Sequence, residues 1–180
     1  MELNSVVQVG PHAVTFRPDG ENDVELRFKI YASTRTEELA PVPWSPEQKE
    51  QFLRQQFRAQ DHSYRNNYPG ATFWIIVVDG IDAGRLYLHR QPKDIRVMDI
   101  ALLPDFRRRG IGAALLQQVL AEGDESGRIV SICVEFFNPA RRLYERLGFR
   151  QVGQTEVYLL LEWHSAKLTT PSLPASANLK

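Results

Sequence analysis

The segment from Asp99 to Ala113 constrains the fold more than any other part of this 180-residue chain. It begins in an apolar stretch, 96–103, that predicts a strand covered on both faces, and such strands lie near the centre of a sheet. A proline and three arginines follow, and then Gly110 and Gly112 open an amphipathic helical pattern. The chain therefore passes directly from a central strand through a basic loop into a helix.

The start of that helix predicts a binding site for an anion. Main-chain N–H groups at a helix N-terminus point outward at the positive end of the helix dipole. Glycine lacks a Cβ atom, so a diphosphate can approach the backbone closely, and the arginines add charge-assisted donors. The expected ligand is a phosphorylated cofactor. The residues predicted to bind it are Arg107, Arg108, Arg109, Gly110, Ile111, Gly112 and Ala113.

Strand and helix patterns alternate along the rest of the chain. The predicted order is a strand at 13–17, helices at 24–31 and 46–64, strands at 73–78, 84–89 and 96–103, a helix from 110, a strand at 129–134, a helix from 138 and a strand at 157–163. This order predicts two parts: an antiparallel meander in the first half of the chain and a βαβ unit in the second half. The fold class is therefore mixed α/β, of the α+β type.

Composition allows one sizeable core, because 43% of the residues are hydrophobic in a chain of this length. We expect one domain over residues 12–163. Residues 1–11 are expected to be a flexible N-terminus, although the valines within 6–9 could add a short edge strand. Residues 164–180 are rich in Ser, Thr, Pro and Ala without periodicity, and we expect them to form a disordered tail.

The numbers of charged residues, cysteines and histidines, and the length of the apolar runs, argue against several classes of protein. Twenty-two basic residues match twenty-two acidic ones, which argues against a nucleic-acid-binding protein. The one cysteine, Cys133, excludes a disulfide scaffold, and the four histidines show no ligand spacing, so we predict no metal. No apolar run is long enough to cross a membrane. We expect a soluble, cytoplasmic protein.

Two segments together resemble the GNAT N-acetyltransferase family. The pattern Arg107-x-x-Gly110-x-Gly112 is similar to the acetyl-coenzyme A loop of that family, and 138–149 is similar to its other signature segment. The resemblance implies the acyl-CoA N-acyltransferase fold, with a central, mostly antiparallel sheet flanked by helices. Its two central strands, here 96–103 and 129–134, would splay apart.

The same resemblance implies an activity. Acetyl would pass from acetyl-CoA, as cosubstrate, directly to a primary amine of a small molecule such as an amino acid or a polyamine. A non-catalytic acyl-CoA sensor or interaction module with the same fold is the alternative. A Rossmann-type dinucleotide site is a weaker rival, because Leu115 stands where that motif needs its third glycine. A homodimer through an edge strand is also possible.

Several residue roles follow from the resemblance. The backbone of Leu102 and Leu103 would pair with the pantetheine amides, and Tyr144 would be the general acid; a packed helix tyrosine is the alternative for Tyr144. Asn138 falls one residue short of the family spacing to that tyrosine, so it either contacts the cofactor or caps its own helix. Arg141 would approach the nucleotide phosphates or lie on a solvated helix face.

The general base and the acceptor pocket are less constrained by the sequence. Asp99 and Glu135 are the candidate bases, and Asp99 could instead pair with Arg85 or Arg96. Cys133, in an apolar strand, is expected to be an inert buried residue. By analogy with the family, the acceptor pocket would involve a loop at 34–45. The residues predicted to line the pocket are Glu37, Glu38, Trp44 and Tyr64.

Overall fold

The computed structural model of the chain describes residues 6–165, and in this part eight strands form one sheet. The strands are β1 (Val7–Val9), β2 (His12–Pro18), β3 (Thr72–Val78), β4 (Ile81–Arg90), β5 (Asp94–Leu102), β6 (Ile129–Glu135), β7 (Arg150–Gln154) and β8 (Tyr158–Trp163). Their order in the sheet is β1-β2-β3-β4-β5-β6-β8-β7. Every neighbouring pair is antiparallel except β5 and β6. The predicted mixed, mostly antiparallel fold class is confirmed.

Four α-helices connect or flank these strands in residues 6–165. They are α1 (Val24–Leu39), α2 (Pro46–Asn67), α3 (Ile111–Ser126) and α4 (Arg141–Arg146). Local chemistry begins α2: the Ser45 hydroxyl accepts a hydrogen bond from the Gln48 N–H at 3.3 Å, and the Gln48 side chain accepts one from the Ser45 N–H at 2.9 Å. This reciprocal cap, with Pro46 in the first turn, confirms the predicted start of the helix.

The turn between β3 and β4 also follows from local sequence. Asp79 and Gly80 have φ angles of 50° and 81°. Two consecutive positive φ angles match the twist of a two-residue hairpin, and an Asp-Gly pair adopts them at low cost. The predicted hairpin is therefore confirmed, and it sets the register by which β4 presents its side chains to the next strand.

The two faces of the sheet differ in chemistry. Val130 and Ile132 of β6 pack with Leu115 and Val119 of α3 in the main hydrophobic core. Side chains alternate along a strand, so Glu135 lies on the opposite face, where it contacts α1. A smaller hydrophobic cluster holds α1 and α2 together on that face; it comprises Phe28, Tyr31 and Phe57.

The two central strands pair over only part of their length. The β5–β6 ladder runs from the Asp94–Ile129 pair to the Val97–Ile132 pair and then ends. Beyond this point β5 stays paired with β4 as far as Leu102, and β6 stays paired with β8. The predicted splay is present, and it opens a gap in the middle of the sheet between 98–102 and 133–135.

The expected loop at 34–45 is wrong in its first half, because α1 continues to Leu39. Serine and threonine favour loops when their hydroxyls compete for backbone groups. Here the hydroxyls bond back onto the helix instead: Ser33 donates to the Ile30 carbonyl and Thr34 to the Tyr31 carbonyl, both at 2.7 Å. Helix α1 is therefore longer than the sequence prediction, which ended it before residue 34.

Two strands correct the predicted organisation. The sequence prediction lacks β7, because its polar residues show no apolar alternation, and pairing with β8 forms it. Residues 1–11 were expected to be loose, but Val7 pairs with Val14, and the edge-strand alternative is the one observed for 7–9. Most of the predicted disordered tail, 166–180, lies outside the described residues.

Candidate active site

The loop between β5 and α3 folds into an open ring of main-chain donors. A short turn at 104–106 ends where the Arg107 N–H donates to the Pro104 carbonyl at 3.1 Å. Arg108 and Gly110 then take φ angles of 60° and 80°, which redirect the chain into the helix. The first main-chain bond of the helix joins the Ala114 N–H to the Gly110 carbonyl at 3.0 Å.

The main-chain N–H groups of residues 108–113 accordingly make no hydrogen bond to any other part of residues 6–165. No side chain caps this helix, and Gly110 occupies the N-cap position. A Cβ atom on Gly112 would meet nothing within 4 Å, so the surface above it is open. Six unpaired donors at the positive end of a 16-residue helix form a cradle for an anion of the size of a diphosphate.

The arginines of this loop divide into two kinds. The Arg107 guanidinium donates to the Leu102 carbonyl at 2.8 Å and to the hydroxyl and carbonyl of Ser33 at 2.8 and 3.1 Å. Arg107 therefore ties the loop to β5 and α1, which corrects the expectation that its guanidinium faces a diphosphate. Arg108 and Arg109 are exposed, and Arg109 lies 3.5 Å from the His12 ring.

The gap beside this loop exposes main chain of β5. The Leu103 N–H donates to the Ala83 carbonyl on the β4 side, so by alternation the backbone groups of Ile100 and Leu102 face the gap. The two predicted pantetheine-binding residues thus differ: Leu102 faces the gap, and the Leu103 N–H is already bonded. Tyr64 of α2 closes the gap from one face, where its hydroxyl donates to the Met98 carbonyl at 3.2 Å.

Tyr144 of α4 is buried to 4% exposure and packs edge to face against Phe149, with 5.7 Å between ring centroids. Burial, and to a smaller extent the charge of the nearby Asp99, raises the pKa of its phenol above the ordinary value. The phenol therefore stays protonated throughout the neutral range. A protonated phenol can donate a proton, as the predicted general-acid role of Tyr144 requires.

Asp99 lies on β5 in an ion pair with Arg85 of β4. The Arg85 Nη2 atom donates to Asp99 Oδ2 at 2.6 Å and to Gln60 Oε1 at 3.1 Å. The sequence alternative of an Asp99–Arg85 pair is thus observed, and Arg96 is not the partner. The charge of Asp99 is also felt at the Tyr144 phenol, where it adds to the rise in pKa that burial causes.

Glu135 also has an arginine partner. Arg35 of α1 makes a bidentate pair with Glu135, at 2.7 and 2.6 Å, and donates to Glu38 at 3.1 Å. These carboxylates raise the pKa of Arg35 well above its ordinary value. Sequence reasoning missed Arg35, although it continues the inward stripe of Phe28 and Tyr31 along α1. Glu135 therefore lies at the gap in a fixed position, and both of its carboxylate oxygens accept hydrogen bonds from Arg35.

The second signature segment begins with a turn. The Asn138 side chain accepts a hydrogen bond from the Ala140 N–H at 2.9 Å, and α4 begins at Arg141 instead of at the expected Pro139. Asn138 thus bonds within the turn that precedes the helix, and the predicted cap is wrong, because Ala140 occupies the N-cap position without a side-chain bond. The Arg141 guanidinium donates to the Phe136 carbonyl at 2.7 Å, so it fixes the loop that follows β6.

The predicted acceptor-pocket residues are not brought together. Glu37 and Glu38 lie exposed on the last turns of α1, and Trp44 packs edge to face against Phe52 with 5.2 Å between centroids. Of the four, only Tyr64 contacts the gap. Cys133 is exposed, against expectation, and its Sγ accepts from Arg96 at 2.8 Å, because it lies on the polar face of β6.

A family model described as the acetyltransferase (GNAT) domain matches residues 69–151, which hold the hairpin, the donor ring, the gap and Tyr144. This part of the chain matches the GNAT acetyltransferase domain. The resemblance inferred from the two signature segments is confirmed.

Known proteins similar to the chain agree with this family. The N-acetylaspartate synthetases of Homo sapiens and Danio rerio are each 30% identical over 106 residues, which cover 57% of this chain and 35% and 38% of those proteins. The chain thus spans little more than a third of the length of these curated relatives.

Solved structures show the same fold. PaiA N-acetyltransferase from Thermoplasma acidophilum, in complex with coenzyme A, has a TM-score of 0.64 at 16% identity and covers 84% of this chain and 99% of its own. The ribosomal-protein-S18-alanine N-acetyltransferase of Escherichia coli has a TM-score of 0.57 at 20% identity and covers 93% and 99%. The GNAT fold, with its opened central sheet, is therefore common to all three.

Neither a metal cluster nor a membrane span accompanies the GNAT domain in the described part of the chain. Residues 6–165 contain no group of three or more His, Cys, Asp or Glu side chains placed to hold a metal ion. They also contain no helix that is long and apolar enough to cross a bilayer.

Proposed function

We propose that this GNAT domain transfers an acetyl group from acetyl-CoA directly to a primary amine of a small molecule, an amino acid or a polyamine. One observation carries the proposal: the six main-chain N–H groups of 108–113 have no partner within residues 6–165, and the surface above Gly112 is open. A diphosphate matches these donors in charge and in number of acceptors. The names of the similar proteins, which are N-acetyltransferases and N-acetylaspartate synthetases, support the same chemistry.

In this proposal the cosubstrate is held along the gap. The N–H groups of 108–113 bind the diphosphate, with Arg108 and Arg109 as flanking cations. The pantetheine amides pair with the backbone of Ile100 and the N–H of Leu102, which β6 leaves unpaired, and so extend the sheet, while the Leu102 carbonyl accepts from Arg107. Arg107 contributes indirectly, because it fixes the loop to Ser33 and Leu102. The thioester would then lie near Tyr144 and Asp99.

Transfer needs a neutral amine and a proton for the departing sulfur. The amine nitrogen forms a bond to the thioester carbonyl carbon, and the carbon–sulfur bond breaks. Tyr144 donates its phenolic proton to the thiolate, whose free pKa is about 8.5. Asp99 takes the proton that the amine loses, directly or through a water shared with Glu135. Because both carboxylates are paired with arginines, each is held in a fixed position.

Calorimetry and thiol release test this function. Gly112→Ala adds a methyl group that touches no atom of the protein, so the fold should keep its stability while the diphosphate loses its close approach. We expect about a tenfold loss in acetyl-CoA affinity, or about 1.4 kcal/mol. Gly153→Ala on the edge strand β7 is the matched control, because its Cβ would meet only Leu160 atoms, at 3.9 Å.

The outcomes separate the two candidate functions. Thiol release from acetyl-CoA that depends on added amine supports the enzyme. Acetyl-CoA binding without turnover on a panel of amino acids and polyamines would identify the sensor alternative. Equal affinity in the Gly112→Ala and Gly153→Ala variants would contradict the proposed diphosphate site. The expected cytoplasmic location and homodimer stay predictions.

A further inference from the structure

Arg85 has an unused hydrogen-bond donor beside the proposed reaction centre. Its residue is only 3% exposed, and Nη2 makes both of its side-chain hydrogen bonds, to Asp99 and Gln60. Nε is enclosed by protein without a partner. Nη1 also has no partner within residues 6–165, but protein atoms do not enclose it completely, so part of this atom is accessible. A buried guanidinium therefore presents one open N–H edge.

Asp99 presents the complementary group. Its Oδ2 atom receives the Arg85 bond, whereas Oδ1 has no hydrogen-bond partner in the described chain. The side chain is 14% exposed, so a ligand can reach it. The Arg85–Asp99 pair thus offers one cationic donor and one anionic acceptor side by side.

The surrounding charges decide which ligand fits. The negative charge of the other carboxylate at the gap, Glu135, is already paired by the bidentate contact with Arg35. A polyamine would bring a second cation toward the buried Arg85 and the partly exposed Arg35, whose charge already pairs with Glu135. A zwitterion matches the pair instead, because its ammonium and carboxylate are complementary to Asp99 and Arg85 respectively.

We propose that the acceptor is an α-amino acid whose carboxylate binds Arg85 Nη1 and whose amino group binds Asp99 Oδ1. This inference rests on the proposed acetyl transfer. Binding in this orientation places the nitrogen on the carboxylate that removes its proton and close to Tyr144. Arg85 is then a specificity-determining residue, and Asp99 both orients and deprotonates the amine.

Pairs of acceptors that differ only in the α-carboxylate test the proposal. The full-length protein is assayed for thiol release with acetyl-CoA and each of histidine and histamine, tyrosine and tyramine, and aspartate and β-alanine, with spermidine as the polyamine. In at least one pair the α-amino acid should show about 10- to 100-fold higher kcat/KM than its decarboxylated partner. Histidine methyl ester, which keeps the amine and loses the charge, should be as poor a substrate as histamine.

Two variants assign the effect to Arg85. Arg85→Gln removes the partner that holds Asp99, so it should lower kcat for both members of a pair. In addition, it should lower the ratio of kcat/KM for the amino acid to kcat/KM for its decarboxylated partner about tenfold or more. Arg85→Lys, which keeps the charge, should recover part of this ratio. Circular dichroism and acetyl-CoA calorimetry verify folding and cosubstrate binding. If Arg85→Gln does not fold, the kcat/KM ratios of the wild-type protein and of Arg85→Lys on the same substrate pairs still test the role of Arg85.

The results distinguish this inference from the function on which it rests. Turnover of spermidine or of the decarboxylated amines at rates equal to or above those of the amino acids overturns the inference and leaves the acetyltransferase intact. An equal loss for both members of a pair in Arg85→Gln also overturns it. No turnover with any acceptor, in protein that binds acetyl-CoA, overturns the proposed function and the inference together.

Discussion

Two buried arginines lie on the same face of the sheet, and they differ in how completely the protein satisfies them. Arg27 of α1 and Arg85 of β4 are each 3% exposed. Arg27 donates to Asp19 at 2.7 Å, to the Gly20 carbonyl at 2.8 Å and to Asp61 at 3.3 Å. Arg85 has one carboxylate, one amide and an open Nη1 edge.

The Arg27 network is closed by further contacts. Asp19, whose side chain is fully buried, also accepts from Tyr87 at 2.5 Å and from Arg65 at 3.0 Å. This network joins the start of α1, helix α2 and β4, so it holds the two helices against the sheet. Burial of a charge is common to both networks, and only the network at the gap leaves bonding capacity for a ligand. Unused capacity, and not burial alone, distinguishes a candidate site from a structural element.

The largest effect is expected from breaking the closed network. Arg27→Gln leaves the Asp19 carboxylate buried with one cation fewer, and removing one partner of a buried pair costs about 3–5 kcal/mol in the free energy of unfolding. The melting temperature should fall by about 10 °C, measured by circular dichroism.

Arg65→Gln is the matched control for that variant. Arg65 contacts the same Asp19, but its side chain is 33% exposed, so its loss should cost about 1 kcal/mol or less. If the two variants lower the free energy of unfolding equally, burial does not determine how much Arg27 contributes to stability. The interpretation of the Arg27 network as a structural element, in contrast to the Arg85 network, would then be wrong.

A second prediction compares one tyrosine from each network. Tyr144→Phe removes the proposed general acid and should lower kcat about 100-fold or more at unchanged acetyl-CoA affinity, since general acids contribute about 10²- to 10⁴-fold. Tyr87→Phe removes a hydroxyl that binds Asp19; it should lower the melting temperature and leave kcat unchanged. Steady-state kinetics and calorimetry on both variants check this. Similar kcat values for Tyr144→Phe and the wild type would leave Tyr144 as a packing residue.

The parts of the fold that the sequence predicts are those set by local chemistry. Ser45 and Pro46 begin a helix, Asp79 and Gly80 form a hairpin turn, and the glycines at 110 and 112 leave a helix start open, because in each case the residues themselves determine the backbone. The donor ring was therefore predictable in its backbone part.

The parts that sequence misses depend on contacts between distant segments. Arg107 belongs to the recognised motif, yet its partners are Ser33 on another helix and the strand carbonyl of Leu102. The open edge of Arg85 appears only when β4, β5 and α2 are assembled around it. The Nε atoms of Arg27 and Arg85 are both enclosed without a hydrogen-bond partner, and only Arg85 also has an unpaired Nη1 that a ligand can reach. No local pattern in the sequence distinguishes these two arginines before the fold is known.

The smallest predicted effect concerns the rim of the closed network and its dependence on pH. Asp23 accepts two hydrogen bonds from Arg17, at 2.8 and 2.9 Å, and one from the Gly20 N–H at 2.8 Å. Hydrogen bonding to Arg17 is the main cause that lowers the pKa of Asp23 to about 2 in the folded protein. A carboxyl with a lowered folded pKa stabilises the fold above its unfolded value, near 4, and this stabilisation is lost as the pH falls from about 4 toward 2.

Asp23→Asn isolates that contribution. At pH 6 the variant should be less stable than the wild type by about 1 kcal/mol, because the pair lies partly in solvent. At pH 2.5 the difference should shrink, since protonation has by then removed much of the same interaction from the wild type. Thermal melts of both proteins at the two pH values provide the measurement. A stability difference that stays constant with pH would mean that the Arg17–Asp23 pair adds no net charge stabilisation, and that the closed network depends on its buried members alone.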